Sequence, residues 1–240
     1  MLRNSKIACC QVRWKSKSSS STRWLSRQKK DVHTKESKAR NYRSRASFKL
    51  IEIDKKFKLF NKRSINIVDL GFSPGAWTQV ALEITKKLGL KSTILGVDLI
   101  ACNPPEESYF LQGNILSKNT HNAIKEFFSE RTNEYYEQPL DLIISDMMAN
   151  TLGLKDSDHY ASMDLCDGAI ILACSLLKEN GNMVMKYYMG KEEYLLTNKM
   201  HAMFEKVFKM KPTSSRAELR EMYIIGLKKK RTTVDDVFGD

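Results

Sequence analysis

Four charged residues stand at or near the carboxyl ends of short apolar runs: Asp69 in Ile65–Leu70, Asp98 in Thr93–Leu99, Asp146 just after Leu140–Ser145, and Lys186 in Asn182–Tyr187. Two further runs, Tyr109–Leu111 and Met222–Leu227, have the same strand-like character. Between the runs lie stretches whose apolar residues recur at helical spacing: Ala46–Phe60, Ala76–Leu88, Asn119–Phe128, Met163–Leu177 and Glu192–Val207. Strands alternating with helices predict an α/β domain built on a mostly parallel sheet, with no internal repeat and no interdomain linker. Ligands of such sheets bind beyond the carboxyl ends of the strands. Those four charged residues therefore mark one end of the sheet as the place to look for chemistry.

Charge divides the 240-residue chain further. Residues 1–30 hold nine Lys and Arg, seven Ser and no acid; residues 31–63 hold eleven basic and four acidic side chains. The body, 64–208, is acidic, with nineteen Asp and Glu against twelve Lys and Arg, and 209–231 is basic again, eight against two. Basic segments flanking an acidic body suggest a polyanionic partner held at one face, provided the fold brings the two segments together. No apolar run approaches the roughly 18 residues needed to span a bilayer, so membrane insertion is not expected. The five cysteines include no C-x-x-C pair and there are only four histidines, which suggests neither a disulfide scaffold nor a metal site.

The first thirty residues are Arg- and Ser-rich, acid-free and amphipathic rather than continuously apolar, as a mitochondrial matrix-targeting segment requires. An RNA-binding arm retained on the mature protein is the rival reading, since Arg, Lys and Trp suit that too. The expected organisation is a targeting segment over 1–30, a basic RNA-binding lead-in over 31–45, the catalytic domain over 46–230 and a tail over 231–240.

The stretch Asp69-Leu70-Gly71-Phe72-Ser73-Pro74-Gly75-Ala76-Trp77 follows a strand and opens a helix. Glycines there permit a tight turn and close backbone approach to a ligand. The pattern is not the G-x-G-x-x-G of a dinucleotide site, and no G-K-[ST] follows as in a phosphate loop. A ligand with an amino-acid end and a ribose suits the loop better. Asp98, one strand-helix-strand unit later, is positioned to accept from ribose hydroxyls. S-adenosylmethionine has those parts. An ordinary strand-to-helix turn accounts for Gly71 and Gly75 about as well.

Taken in order, Asn41-Tyr42-Arg43-Ser44-Arg45-Ala46-Ser47-Phe48-Lys49-Leu50, the D-L-G-F-S-P-G-A-W-T-Q stretch, Gly96-Val97-Asp98, Ser145-Asp146-Met147, Val184-Met185-Lys186 and Ser214-Ser215-Arg216…Arg220-Glu221-Met222-Tyr223-Ile224 resemble the FtsJ/RrmJ-type RNA 2′-O-methyltransferases over about residues 38 to 227. With the targeting segment, the chain resembles the mitochondrial branch of that family. The resemblance implies a single Rossmann-like methyltransferase domain with a mostly parallel seven-stranded sheet and helices on both faces. It implies S-adenosylmethionine as cofactor, and a monomer acting on a uridine ribose of large-subunit ribosomal RNA, or on the assembling subunit, in the mitochondrial matrix. It also implies a catalytic set of Lys49, Asp146, Lys186 and Glu221. Cofactor contacts fall on Gly71, Pro74, Gly75, Ala76, Trp77, Asp98, Asn114 and Asp146, and RNA contacts on Tyr42, Arg43, Arg45 and Arg216.

A ribose hydroxyl is a poor nucleophile until its proton is removed or its charge is stabilised. Within the set we assign hydroxyl activation to Lys186, stabilisation of the developing alkoxide to Lys49, and orientation of the lysines to Asp146 and Glu221. Three departures from the family pattern stand out: Ala76 replaces a second loop glycine, Asn114 replaces an aspartate, and Met148-Ala149-Asn150 replaces A-P-N. None touches the catalytic set. Two other functions are consistent with the same residues: a cytosolic-type transfer-RNA 2′-O-methyltransferase, and a ribosome-assembly factor whose methylation is dispensable.

Overall fold

The computed structural model describes residues 32–132, 137–149, 152–216 and 218–239. The expected targeting segment, 1–30, and Asn150 lie outside the described residues. The elements run α1 (Val32–Ala39), α2 (Ser47–Phe57), β1 (Asn66–Leu70), α3 (Ala76–Lys87), β2 (Thr93–Asp98), β3 (Tyr109–Gln112), α4 (Lys118–Thr132), β4 (Leu140–Ser145), α5 (Lys155–Leu176), β5 (Leu177–Tyr188), α6 (Glu193–Met203), β6 (Phe204–Met210), β7 (Glu221–Lys229) and α7 (Val234–Phe238).

Seven strands form one sheet in the order β3-β2-β1-β4-β5-β7-β6. From β3 to β5 every pairing is parallel, whereas β7 runs antiparallel between β5 and β6. The sheet is thus mostly parallel, as expected, with β7 and β6 adding two antiparallel pairings at one edge. Strand alternation divides the core in two. Val68, Leu70, Leu95, Val97, Met185 and Tyr187 face α4, α5 and α6. Ile67, Ile94, Leu142, Ile144, Val184 and Tyr223 face α2 and α3, where Leu50, Ile53, Trp77 and Ala81 complete the second core.

Three elements depart from the expectations. The helix expected over Glu192–Val207 ends at Met203, and Phe204, with extended backbone, begins β6. This edge strand carries Glu205, Lys206 and Lys209 exposed, charges of the kind that keep an open edge from pairing with another chain, and they mask its period. Asp31–Arg45, expected as a basic lead-in, contains α1. The expected tail contains α7, started by a reciprocal capping box between Thr233 and Asp236, with Val237 buried in the first core.

Gly96 in β2 shows how tightly the sheet holds the loop that follows β1. A Cβ on Gly96 would lie 2.0 Å from the ring of Phe72, the second residue of that loop. Gly96→Ala is expected to destabilise the fold by about 1–3 kcal/mol through overpacking, measured as a lowered urea midpoint at unchanged slope.

Candidate active site

A cleft of about 680 Å³ opens at the carboxyl ends of β1, β2, β4 and β5. Gly71 and Ser73 of the loop after β1, Asp98 at the end of β2, Asn114 after β3, and Asp146 and Lys186 from β4 and β5 all line it. Gly71 has φ +74°, and a Cβ there would meet the backbone of Met147 at 2.7 Å. The loop after β1 and the loop after β4 therefore close on each other only because residue 71 has no side chain. Asp98 fixes the other wall: one carboxylate oxygen accepts from the Ser73 backbone N–H at 2.8 Å and the other from that of Ile100 at 2.9 Å. Asn114 accepts from the Leu116 N–H at 3.0 Å through its side-chain oxygen.

At the inner end of the cleft four elements deliver charge to one point. In β4 the side chains alternate so that Asp146 follows Leu142 and Ile144 onto the α2 face. Lys186 and Tyr223 are direct cross-strand partners in β5 and β7, and Glu221 lies two residues before Tyr223 on the same face. Lys49 descends from α2. Lys186 Nζ donates to the Asp146 carboxylate at 3.0 Å and to its backbone carbonyl at 2.6 Å. Lys49 Nζ donates to Glu221 at 3.0 Å and stands 3.9 Å from the Asp146 carboxylate, and the Tyr223 hydroxyl donates to Asp146 at 2.6 Å. All five side chains are largely buried.

Two lysines and two carboxylates balance in formal charge, which is what allows the group to leave water. Burial alone would raise the Asp146 carboxyl, but Lys186, then Lys49, and the Tyr223 hydroxyl outweigh it and hold it below the usual carboxylate range. Burial and the facing Asp146 and Glu221 push the Tyr223 hydroxyl well above its ordinary value, so Tyr223 acts as a donor. An ammonium has three hydrogens; Lys186 directs two at Asp146 and itself lines the cleft, so its third is available to a ligand. Lys49 and Glu221 stand behind Asp146, outside the cleft lining.

A family model described as FtsJ-like methyltransferase matches residues 42–229. The chain belongs to the FtsJ-like methyltransferase family. The protein named rRNA methyltransferase 2, mitochondrial, of Saccharomyces cerevisiae is 39% identical to it, over 93% of this chain and 92% of that protein. Ribosomal RNA large subunit methyltransferase E of Rickettsia felis is also 39% identical, over 90% of this chain and 92% of that one. A crystal structure of a ribosomal RNA methyltransferase from Plasmodium falciparum superposes with a TM-score of 0.67 at 33% identity, covering 78% of this chain and 98% of that chain.

In this FtsJ-like methyltransferase the residues expected to contact a cofactor separate into two groups. Gly71, Asp98, Asn114 and Asp146 line the cleft; Pro74, Gly75 and Ala76 lie beyond its lining, where Gly75 caps α3 with φ 93°. Trp77 is a correction. Its ring packs in the second core against Tyr223 and its indole N–H donates to the Ala46 carbonyl at 2.9 Å, because the first turn of α3 turns that side chain toward α2. In the lead-in, Tyr42 donates to Glu83 at 2.8 Å, and Arg43 donates to the carbonyls of Pro74 and Asn103. Arg45 donates to the Ser214 carbonyl, and burial, then the charge of the nearby Arg216, lowers its pKa. These contacts tie the lead-in and the segment before β7 to the rim of the cleft.

Sequence reasoning gave no role to two residues beside the site, Tyr223, quoted only within a motif, and Asp69, marked only by its place at a strand end. Tyr223 was signalled by its place two residues after Glu221 on a strand, but cross-strand register with Lys186 is a tertiary fact. Asp69, buried behind the glycine loop, accepts from Thr78 at 2.7 Å through one oxygen, and its other oxygen has no hydrogen-bond partner among the described residues. Burial, opposed by the Thr78 hydroxyl and reinforced by the charges of Asp146 and Asp98, pushes the Asp69 carboxyl up to about 8. A carboxyl raised in the folded state contributes stability that is fully present below its unfolded pKa of about 4 and is lost as pH rises through the folded value. Asp69→Asn should remove that dependence. Compared by urea unfolding, the variant should gain on the parent protein steadily from about pH 5 to about pH 8. A pH-independent difference would show that Asp69 is ionised in the folded chain.

Proposed function

We propose that the chain transfers the methyl group of S-adenosylmethionine to a uridine ribose 2′-hydroxyl in mitochondrial large-subunit ribosomal RNA; its relatives are named for methylation of ribosomal RNA, one as mitochondrial and one as acting on the large subunit. One observation carries the catalytic part: the buried Lys49–Glu221 and Asp146–Lys186 pairs, joined through Asp146, with Lys186 presenting to the cleft. Chemically, the cleft fits the cofactor. Its volume suits a small organic ligand. Leu99, Ile100 and Met148, all more than 60% exposed, lie along it as uncovered apolar surface beside the polar handles of Asp98 and Asn114. That combination matches a flat heterocycle joined to a ribose. The residues that would hold the cofactor are Gly71 and Ser73, Asp98, Asn114 and Asp146. S-adenosylmethionine, when bound, supplies a methyl group activated by its sulfonium.

This chain's own contribution is to position and activate the hydroxyl. Asp146 holds Lys186 through its carboxylate and its carbonyl, so the lysine nitrogen is fixed before substrate arrives. Lys186 then donates its remaining N–H to the ribose oxygen and stabilises the charge that develops there, while the hydroxyl proton passes to water. Lys49 was expected to stabilise that oxygen directly; its place behind Asp146 favours a positioning role instead, with Glu221 anchoring it. Arg45 and Arg216 beside the rim suit phosphate contact.

The test is methyl transfer from labelled S-adenosylmethionine to mitochondrial large subunits, naked large-subunit RNA and transfer RNA, using a chain beginning near Asp31. Label on the large subunit or its RNA, mapped to a ribose, is expected, and Lys186→Ala should reduce turnover by at least about 100-fold with cofactor binding retained. Label mainly on transfer RNA would transfer the protein to the cytosolic-type reading. Near-normal turnover in Lys186→Ala would remove the lysine from the mechanism. A targeting role for residues 1–30 is checked by fusing them to a reporter and locating it.

Asn114→Asp provides a second test. The carboxylate keeps the acceptor for Leu116 and adds charge where an amide now faces the cleft. It is expected to tighten cofactor binding about fivefold, the difference of roughly 1 kcal/mol between neutral and charge-assisted hydrogen bonds, as measured by calorimetry.

A further inference from the structure

A second cleft, of about 440 Å³, lies at the opposite end of the sheet. Lys58 closes α2, Lys62 and Arg63 precede β1, Lys206 is in β6 and Lys228 is near the end of β7; all five line it. No carboxylate lines it among the described residues; its other walls are Leu227 and the amides Asn61, Asn180 and Asn182. All five cationic residues are exposed. Among the described residues, Lys228 alone of the five forms an ion pair, 3.3 Å from Glu205 at the exposed edge. The first basic segment of the sequence supplies three of these side chains and the second supplies one, so the fold brings the two segments together here.

The cleft is a built feature rather than a chance gathering of lysines. Buried Asn182 joins its three walls: its amide N–H donates to the Leu59 carbonyl at 2.8 Å and its oxygen accepts from the Lys228 backbone N–H at 3.0 Å. Lys58, Asn180 and Lys228 all have left-handed backbone, with φ of 53°, 63° and 59°. Such backbone favours glycine or asparagine, yet lysine occupies two of the three positions. Like charges held side by side repel, and of the five only Lys206 has a second place in the fold, on the open edge of β6.

We propose that this cleft binds the phosphate backbone of the RNA substrate at a point remote from the methylated ribose. The proposal rests on the reading of the protein as an RNA methyltransferase and extends it to a second contact. Helix α2 links the two sites, with Lys49 in the catalytic cluster and Lys58 in the basic cleft, a rise of about 14 Å along its axis. An RNA segment following this side of the molecule reaches both. Cations on phosphates give affinity and register without reading sequence, which is what a small catalytic domain needs to hold a long RNA.

The test uses the combined variant Lys62→Ala, Arg63→Ala, Lys206→Ala, whose side chains are exposed and outside the catalytic cluster. Affinity for fluorescein-labelled large-subunit RNA is measured by anisotropy across a salt series. Methyl transfer is measured on that RNA and on a short hairpin carrying only the mapped ribose. The variant is expected to bind the long RNA about tenfold or more weaker, with the slope of log affinity against log salt reduced by about two to three. On the short hairpin, turnover and KM should stay within about twofold of the parent. Unchanged affinity and slope on the long RNA would overturn the proposal, as would equal loss on both RNAs, which would place these residues in catalysis or folding. Should the parent protein methylate no RNA, the functional reading fails, while the salt slope still decides whether the cleft holds RNA.

Discussion

Asp146 is the residue on which the site depends. A carboxylate taken out of water must be compensated on the spot, and here it is met by Lys186 from the neighbouring strand, Tyr223 from the strand beyond, and Lys49 from the helix above. Each partner comes from a different element. The arrangement exists only when α2, β4, β5 and β7 are all in register, so the condition for burying the charge and the condition for assembling the chemistry are the same. Removing either lysine would leave a buried carboxylate uncompensated, and removing Tyr223 would cost Asp146 a hydrogen bond, which is why this cluster acts on folding as well as on function.

The same economy governs the walls of the cleft. Gly71 lets the loops after β1 and β4 touch, Gly96 makes room for Phe72 beneath the first of them, and Asp98 ties that loop to the end of β2. The cleft is held open by backbone contacts and by a carboxylate already engaged at both oxygens, so little has to move when a ligand enters. Against this rigid frame, the uncovered side chains of Leu99, Ile100 and Met148 are the conspicuous exception, apolar surface with nothing of the protein upon it.

Much of this was legible beforehand. The strands ending at Asp69, Asp98 and Asp146 and the one carrying Lys186 were readable because buried strands form uninterrupted apolar runs, and the ordered motifs carried the family. Lys49 was another matter. By spacing it reads as a solvated side chain of a lysine-rich helix; only the family motif marked it, and the tertiary contact with Glu221 gives it a buried partner. Edge strand β6 was hidden because its exposed charges imitate a helical face, and α7 because five residues are too few to show a period. Trp77 sits beside the glycine loop in sequence, yet the first turn of α3 carries its ring to the other side of the wall.

Sequence alone determined the α/β alternation, the polar residues at the strand ends and the separation of the chain into basic flanks and an acidic body, because periodicity and charge are properties of the residues themselves. Only the tertiary structure decided that β7 inserts antiparallel between β5 and β6 and thereby sets Tyr223 opposite Lys186. It also decided that the two basic segments meet twice, at the rim of the catalytic cleft through Arg45 and Ser214 and at the opposite end of the sheet around the second cleft. Both outcomes depend on strand order and direction, and those follow from how two apolar faces are covered at once, a condition on the whole chain that no local stretch of it contains.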